Sequence, residues 1–428
     1  MLRKLAGYKY IIATLLYASL FFTQSLTLTW TVPYIVQALI LNTAIMLGIY
    51  AFRGFDNSTT SSMNSCFVSF LSGTILGVVF AMIPILFFHA RLPRFTIAIT
   101  AALSIFIFPF IGCILMRYTI KHLPPKRYLV IGREEELSPI LEEVRKASMN
   151  KIQIYSYLNP SPVTLAAAME MEATRPYDAI LIGDPQLARG VEEILSNAHM
   201  NNLPVEYLPT IVEQTLMRIP LPVMKTFREY YEVLFSETRY SRRIRVMDLI
   251  LSTLLFIIAL PFSLFSILLI LIQDGKPILY KQRRIGLGGK QFDIYKFRTM
   301  KEHKEQNGEL VTAYITRSGK ILRKTRLNEI PQLLNVLKGD ISLAGPRPDL
   351  PVFYDKWRRE IDFYKSRFLV PSGVTGHAQV MYKYADTKEE YERRLEYDLY
   401  YVKNYDFRLY LTTLIRTVET MVFRRGAK

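Results

Sequence analysis

Apolar residues along this chain follow two rhythms, and the change between them divides it. Four runs near 8–28, 32–52, 66–90 and 95–117 fill the first third. Each is long enough to cross a hydrocarbon core of about 30 Å, which takes roughly 20 helical residues. Beyond Lys121-His-Leu-Pro-Pro-Lys-Arg127, a linker by its prolines, short β-rich runs alternate with helical stretches. Tyr128–Gly132, Ile152–Leu158, Ala179–Gly183 and Pro204–Leu208 predict strands, with helices near 134–148, 162–173 and 185–198. That βαβ order predicts a parallel sheet of Rossmann type. Its first turn, Gly132-Arg-Glu-Glu-Glu-Leu137, lacks the later glycines and sets three acids where a pyrophosphate would sit. A regulatory or oligomerising module is therefore the better expectation than a dinucleotide site.

A fifth apolar run, Val246–Ile272, follows the basic Ser241-Arg-Arg-Ile-Arg245 and precedes Lys276, Lys281, Arg283 and Arg284. Cations hold span ends on the cytoplasmic side, so both flanks of this run favour the same face. Pro261, near its middle, removes a helix hydrogen bond and bends the axis. Together these predict a helix-break-helix that dips into one leaflet and returns; a plain kinked fifth span is the alternative.

Half of the 428 residues are hydrophobic, which adds membrane to a length that already implies two or three domains. The first run lacks a small-residue cleavage site and leads straight into another, unlike a cleaved signal. Arg3, Lys4 and Lys9 before it, and Arg117, Lys121, Lys126 and Arg127 after the fourth, predict cytoplasmic ends, with the uncharged Thr29–Pro33 turn outside. Arg91 and Arg94, between the third and fourth runs, count against that arrangement. A net charge of +17 in such a chain points to anionic lipid or a phosphorylated ligand rather than nucleic acid. Cys66 and Cys113, the two cysteines, lie inside apolar runs and support neither a disulfide framework nor a zinc site.

The chemistry-bearing residues lie in the last 149 positions, from Tyr280 onward. Tyr280–Met300 mixes Lys281, Arg284, Lys296 and Arg298 with a glycine turn, a composition that suits a diphosphate or, equally, a basic hairpin on anionic lipid. Thr316–Arg326 adds Arg323 and other cations directly before Asn328-Glu329. A carboxylate in such surroundings stays ionised and is able to hold a divalent metal. Pro331 suits the first turn of a helix carried by Leu333, Leu334 and Leu337, which sets the acid at a helix N-terminus. In Gly345-Pro-Arg-Pro348 the flanking prolines restrict Arg347 and make it the preferred phosphate or nucleotide ligand; an exposed turn arginine is the bland alternative.

These boxes resemble the bacterial polyprenyl-phosphate phosphoglycosyl transferases, the monotopic sugar transferases. The family's Gln-(Glu/Arg)-Arg-Ile-Gly and Lys-Phe-Arg-Thr-Met boxes match Tyr280–Met300. Its Leu-Asp-Glu-(Leu)-Pro-Gln, Asn-Val-Leu-Lys-Gly-Asp-Met-Ser and Gly-Pro-Arg-Pro series matches Leu327–Pro348. Pro371-Ser-Gly-Val-Thr-Gly-His-Ala-Gln-Val380 and Tyr397-Asp-Leu-Tyr-Tyr-Val-Lys-Asn404 continue the likeness, which runs from about Arg243 to Thr420 and brings in Gln379. His377 reads as packing.

The resemblance implies a multi-domain membrane protein. It would have a four-helix transmembrane domain (1–120), a Rossmann-like α/β domain (121–222) and an α-rich catalytic domain (223–428) whose re-entrant helix, 241–273, hinges at Pro261. It also implies transfer of a sugar 1-phosphate from a UDP-sugar to polyprenyl (undecaprenyl) phosphate at the cytoplasmic face of the bacterial inner membrane, with Mg²⁺ held by Glu329. The pathways implied are exopolysaccharide, capsule or O-antigen synthesis. Inner-membrane lipid is a partner, nucleic acid is not, and a homodimer is compatible.

One position departs from the pattern: Asn328 stands where the family carries its nucleophilic Asp, and Glu329 remains. Three explanations stay open, namely attack by Glu329 with another acid such as Asp340 supporting the metal, direct reaction in a ternary complex, or an inactive form. A non-catalytic scaffold for polysaccharide assembly is the reading from another class. A transporter is weaker, because only Asp248 and His89 place ionisable groups near apolar runs, close to their ends.

Overall fold

In a computed structural model, the described residues are 2–27, 31–56, 59, 62–86, 92–158, 176–200, 203–304, 310–382 and 387–422. Helix 162–173, His89 and Arg91 lie outside them, as do parts of the 66–90 run and of the Thr29–Pro33 turn. The chain forms two compact units, Met1–Arg228 with Ile415–Arg425, and Glu229–Leu414.

The first unit begins with α1 (Leu2–Thr27), α2 (Val32–Ala51), α3 (Met63–Ile85) and α4 (Arg94–His122). Of these, α2, α3 and α4 are long and apolar enough to cross a membrane. Small residues let α2 and α3 approach backbone to backbone. A Cβ added at Gly48 would lie 2.1 Å from the Gly73 carbonyl oxygen, and one at Gly73 2.5 Å from Ile49 Cα. Val79, Phe80, Ile83 and Ile114 face outward, as lipid contact allows and water does not. The π-helical turn Leu103–Ile107 in α4 comes just before Pro109, whose missing N–H relaxes the ladder there. Arg416 pairs with Asp56 at 2.7 Å and Arg53 with Glu419 at 2.7 Å, tying Arg416 and Glu419 to the turn after α2.

The alternating segment folds as β1 (Lys126–Ile131), α5 (Glu134–Ala147), β2 (Ile152–Leu158), β3 (Ala179–Ile182), α6 (Pro185–Arg189), α7 (Glu192–Met200) and β4 (Val205–Tyr207). All four strands pair in parallel, in the order β2-β1-β3-β4. The single helix expected over 185–198 is two, broken where Val191 turns into the sheet core beside Ala188 and Leu195. Leu137 packs against Gly132 and Gly183 at the end of β1 and β3, filling that crevice.

In the second unit, α8 (Arg242–Gln273) runs unbroken through Pro261, so the chain makes one 32-residue helix where the proline predicts two. The remaining main-chain bonds on either side of the single lost donor are sufficient to carry it. Ser241 caps its start by accepting from the Ile244 N–H. Two antiparallel hairpins follow, β5 (Leu279–Ile285) with β6 (Gln291–Phe297), and β7 (Met300–Lys304) with β8 (Leu310–Ile315). Then come α9 (Arg317–Lys324), a 3-10 turn at Leu327–Glu329, α10 (Gln332–Lys338), β9 (Ser342–Ala344), α11 (Pro351–Glu360), β10 (Gly373–Thr375), α12 (His377–Met381), α13 (Lys388–Lys403) and α14 (Phe407–Val422).

Both ends of α8 are fastened to this unit. Near its start, Arg245 donates to the Val336 and Leu337 carbonyls at 2.5 and 2.8 Å, meeting the negative end of α10. One turn on, buried Asp248 accepts from the Leu343 N–H at 2.9 Å and the Tyr410 hydroxyl at 2.7 Å. That fully partnered carboxylate is an anchor, not a transport site. At the far end Ile270 packs with Phe297 and Leu322. Between the two anchors, Leu254, Ile257, Ile258, Leu260, Phe262 and Leu264 are exposed.

Replacing Asp248 by Leu strands the Leu343 N–H and the Tyr410 hydroxyl, and should lower stability by about 3 kcal/mol. Thermal unfolding in detergent reads this as a depressed midpoint, whereas Ile257→Ala should leave the midpoint nearly unchanged and loosen membrane retention instead.

Candidate functional site

The site is built from four short segments that the packing of β9 against β10 brings together. These strands pair in parallel, and Gly345 lies against the next turn so closely that a Cβ there would sit 2.3 Å from the Pro371 carbonyl oxygen. Only glycine permits this approach, and it sets the Pro346-Arg347-Pro348 turn in place. Arg284, on β5, donates to the Pro348 carbonyl at 3.1 Å, and the Ile285 N–H to the Asp349 carbonyl at 2.9 Å. From below, buried Arg367 donates to the Arg347 carbonyl at 3.0 Å and to Asp398 at 2.8 Å, and also pairs with Asp349. Tyr364 donates to Asp349 at 2.5 Å. Two carboxylates thus compensate the buried guanidinium, as burial of a charge requires.

A second network holds the acidic turn. Asn335, fully buried on α10, accepts from the Tyr295 N–H at 3.0 Å and donates to the Asp293 carbonyl at 2.8 Å and to Asp340 at 2.9 Å. It fastens α10 to β6, the strand that carries Lys296. Asp340 is therefore a partner of Asn335 rather than a free acid for a metal.

Lys296 is the centre of the cluster. Burial pushes its ammonium down to about 8, Arg347, Arg284 and Arg323 add to the depression, and Glu329 opposes it. Arg284 is likewise lowered, first by burial and then by Arg347. Among the described residues the ion pair of Glu329 is a long one, 3.8 Å to Arg326, which leaves its oxygens open to a ligand. Arg326 itself takes a left-handed backbone (φ 60) that turns the chain into the acidic element. Asn328 Oδ1 and Gln379 Oε1 are buried without a hydrogen-bond partner. The structure thus gathers Arg284, Lys296, Arg323, Arg347 and Glu329 of the sequence-predicted residues.

Two others belong elsewhere. Arg298 spends its guanidinium on the carbonyls of Asp274 (2.8 Å), Gly275 (2.7 Å) and Lys276 (3.0 Å), closing the end of α8. Lys281 lies over the Tyr295 ring at 5.5 Å and is absent from the groups acting on Lys296. Sequence reading missed Arg367, Asp349, Asp398 and Asn335. Asp398 opens the Asp-Leu-Tyr-Tyr-Val-Lys-Asn box, the one signal that pointed to it. His377 is buried and stacks on Tyr400 with ring centroids 5.3 Å apart, in a packing role.

Comparison with known proteins agrees with this geometry. Residues 239–424 match the bacterial sugar transferase family. A UDP-N-acetylgalactosamine-undecaprenyl-phosphate N-acetylgalactosaminephosphotransferase of Aeromonas hydrophila is 33% identical over 258 residues, which are 59% of this chain and 60% of that protein, less than two thirds of its length. The uncharacterized sugar transferase EpsL of Bacillus subtilis is 38% identical over 188 residues, 42% of this chain and 88% of its own. A UDP-glucose:undecaprenyl-phosphate glucose-1-phosphate transferase of Caulobacter vibrioides is 36% identical over 188 residues, covering 42% of this chain and 70% of that one. With matches that cover 88% and 70% of the last two relatives, the chain belongs to the bacterial sugar transferase family.

Proposed function

We propose that this membrane protein transfers a sugar 1-phosphate from a UDP-sugar to undecaprenyl phosphate, releasing UMP, as the first membrane step of a surface polysaccharide pathway. The observation that carries this reading is the gathering of Arg284, Arg323, Arg347 and Glu329 around Lys296. Cations gathered this densely suit a diphosphate, and the names of the relatives above specify UDP-sugars and undecaprenyl phosphate. The scaffold reading rests on Asn328 alone, and the names of the relatives lend it no support.

In this reading Glu329 is the nucleophile, because a neutral amide at Asn328 is too weak a donor. Its carboxylate attacks the phosphorus nearest the sugar, forming an acyl phosphate as the bond to the UMP oxygen breaks. An oxygen of undecaprenyl phosphate then attacks the same phosphorus and frees Glu329. Lys296, Arg284 and Arg347 hold the diphosphate and offset the charge that gathers on the leaving UMP. Among the described residues no group of three His, Cys, Asp or Glu side chains is found. Asn328 Oδ1, buried and unpartnered beside Glu329, still fits Mg²⁺, which takes few protein oxygens together with substrate phosphates. Bound there, Mg²⁺ would neutralise phosphate charge.

The re-entrant course of α8 belongs to the same proposal. A straight 32-residue helix is about 48 Å long, enough to cross the bilayer and part its ends. Here both ends are held by one unit with the exposed apolar residues between them, so a bend at Pro261 within the continuous helix would let it enter one leaflet and return. A dip into the cytoplasmic leaflet buries that apolar stretch in lipid and leaves the site at the surface, where a soluble donor and a lipid acceptor meet. The parallel sheet between bundle and catalytic unit takes the regulatory or oligomerising role.

Incubating the protein with donor and Mg²⁺ but no lipid should give a sugar-phosphate adduct in intact-mass spectra, lost in Glu329→Gln. Undiminished turnover in that variant without any adduct would sink the mechanism. Asn328→Asp should change UMP release by no more than about threefold; a gain of orders of magnitude would mark the present chain as a crippled form.

The pH dependence follows from Lys296. It is charged below about 8 and loses its proton, and its hold on phosphate, as the pH rises through that value. The ratio kcat/KM, which reports the free enzyme, should fall above about pH 8, while kcat falls only at higher pH because bound phosphate keeps the proton on. Lys296→Met should lower kcat/KM and flatten that limb; an alkaline limb retained in the variant assigns it to another group.

A further inference from the structure

Beside the cation cluster, α11 and α13 pack an aromatic cluster that the mechanism above does not use. Trp357 and Tyr391 lie with ring centroids 5.2 Å apart, and Phe353, 40% exposed, sits 6.2 Å from Tyr391. Lys356 covers Trp357 at 4.3 Å from its ring centroid. The indole of Trp357 is 6% exposed, yet its Nε1–H has no acceptor. One turn beyond Tyr391 on α13, Arg394 buries Nε and Nη2, also without acceptors. On the other side Arg284, whose Nε is buried and unpartnered, is close enough to Tyr391 and to Arg347 to feel both.

Buried donors without acceptors are uncommon in a folded protein and mark a place where a ligand supplies them. Three such groups neighbour one aromatic cluster: Trp357 belongs to it, Arg394 follows Tyr391 on the same helix, and Arg284 acts on both Tyr391 and the cations. We propose that a cleft at this cluster seats the base of the donor nucleotide and selects uracil, the base stacking against Tyr391 and Phe353 while its carbonyls accept from Trp357 and Arg394. This rests on the transferase reading above.

The selectivity follows from the donor set. Uracil presents two carbonyl oxygens. Cytosine replaces one with an amine, and adenine has none, so either would leave a donor facing a donor. A site built to donate rejects a base that lacks the acceptor far more strongly than one relying on shape.

Calorimetric titration of the full-length protein in detergent with UMP, CMP and inorganic pyrophosphate tests this. UMP should bind about tenfold or more tighter than CMP. Trp357→Phe should bring the two together, and Tyr391→Leu should weaken both nucleotides by about tenfold, the usual scale of base stacking. Pyrophosphate affinity should be unchanged in both variants, which also checks their fold. Equal affinity of the unaltered protein for UMP and CMP overturns the cleft without recourse to variants. If pyrophosphate still binds in that case, the transferase reading survives. Failure of every one of these ligands to bind brings both down.

Discussion

Like charges packed together repel, and the second unit sets three arginines and one carboxylate around the ammonium of Lys296. Arg284, Arg323 and Arg347 each oppose the charge on half-buried Lys296, and only Glu329 favours it. Such a cluster persists because the fold fixes it from behind. Arg367 grips the Arg347 carbonyl from a buried pairing with Asp349 and Asp398, and Arg284 is tied to Pro348. The repulsion held in this arrangement is relieved by an anion, which is why a diphosphate is a better partner for it than water. Preorganised charge of this kind needs no rearrangement when negative charge develops on a leaving nucleotide.

The membrane attachment obeys the same logic of anchoring from behind. Arg245 and Asp248 lock the start of α8 to α10 and β9, and Arg298 caps its end. The segment between is left with apolar side chains that only lipid satisfies. Since α10, β6 and β9 also carry or support the cluster, the exposed apolar helix and the gathered cations share one base. The glycine contacts of Gly345 with Pro371 serve it too, as a side chain at that position would drive the arginine turn away from β10.

Patterns local in sequence were readable and pairings distant in sequence were not. The strand Ile152–Leu158 and the helix after Gly132 declare themselves by periodicity within a dozen residues. Lys296, Arg284, Arg347 and Glu329 stood out because cations, glycines and prolines crowd their boxes. Asp349, Arg367 and Asp398 are separated by 18 and 31 residues, and nothing short-range announces that a buried guanidinium joins them. Arg298 shows the reverse error: an arginine in a basic box looks the same whether its fork meets phosphate or three carbonyls. Pro261 is ambiguous in a third way, since a proline predicts a lost hydrogen bond but not whether neighbouring turns continue the helix. Asn335 was hidden because an amide that bridges strand and helix carries no signal of its own.

The central claim is that this cluster exists to receive a diphosphate beside Glu329. A structure of the protein in lipid nanodiscs with UDP bound tests it most directly. The account predicts both phosphates within hydrogen-bonding reach of Arg284, Lys296 and Arg347, with the terminal one facing Glu329. Phosphates seated elsewhere, with those three side chains still contacting only protein, would contradict it.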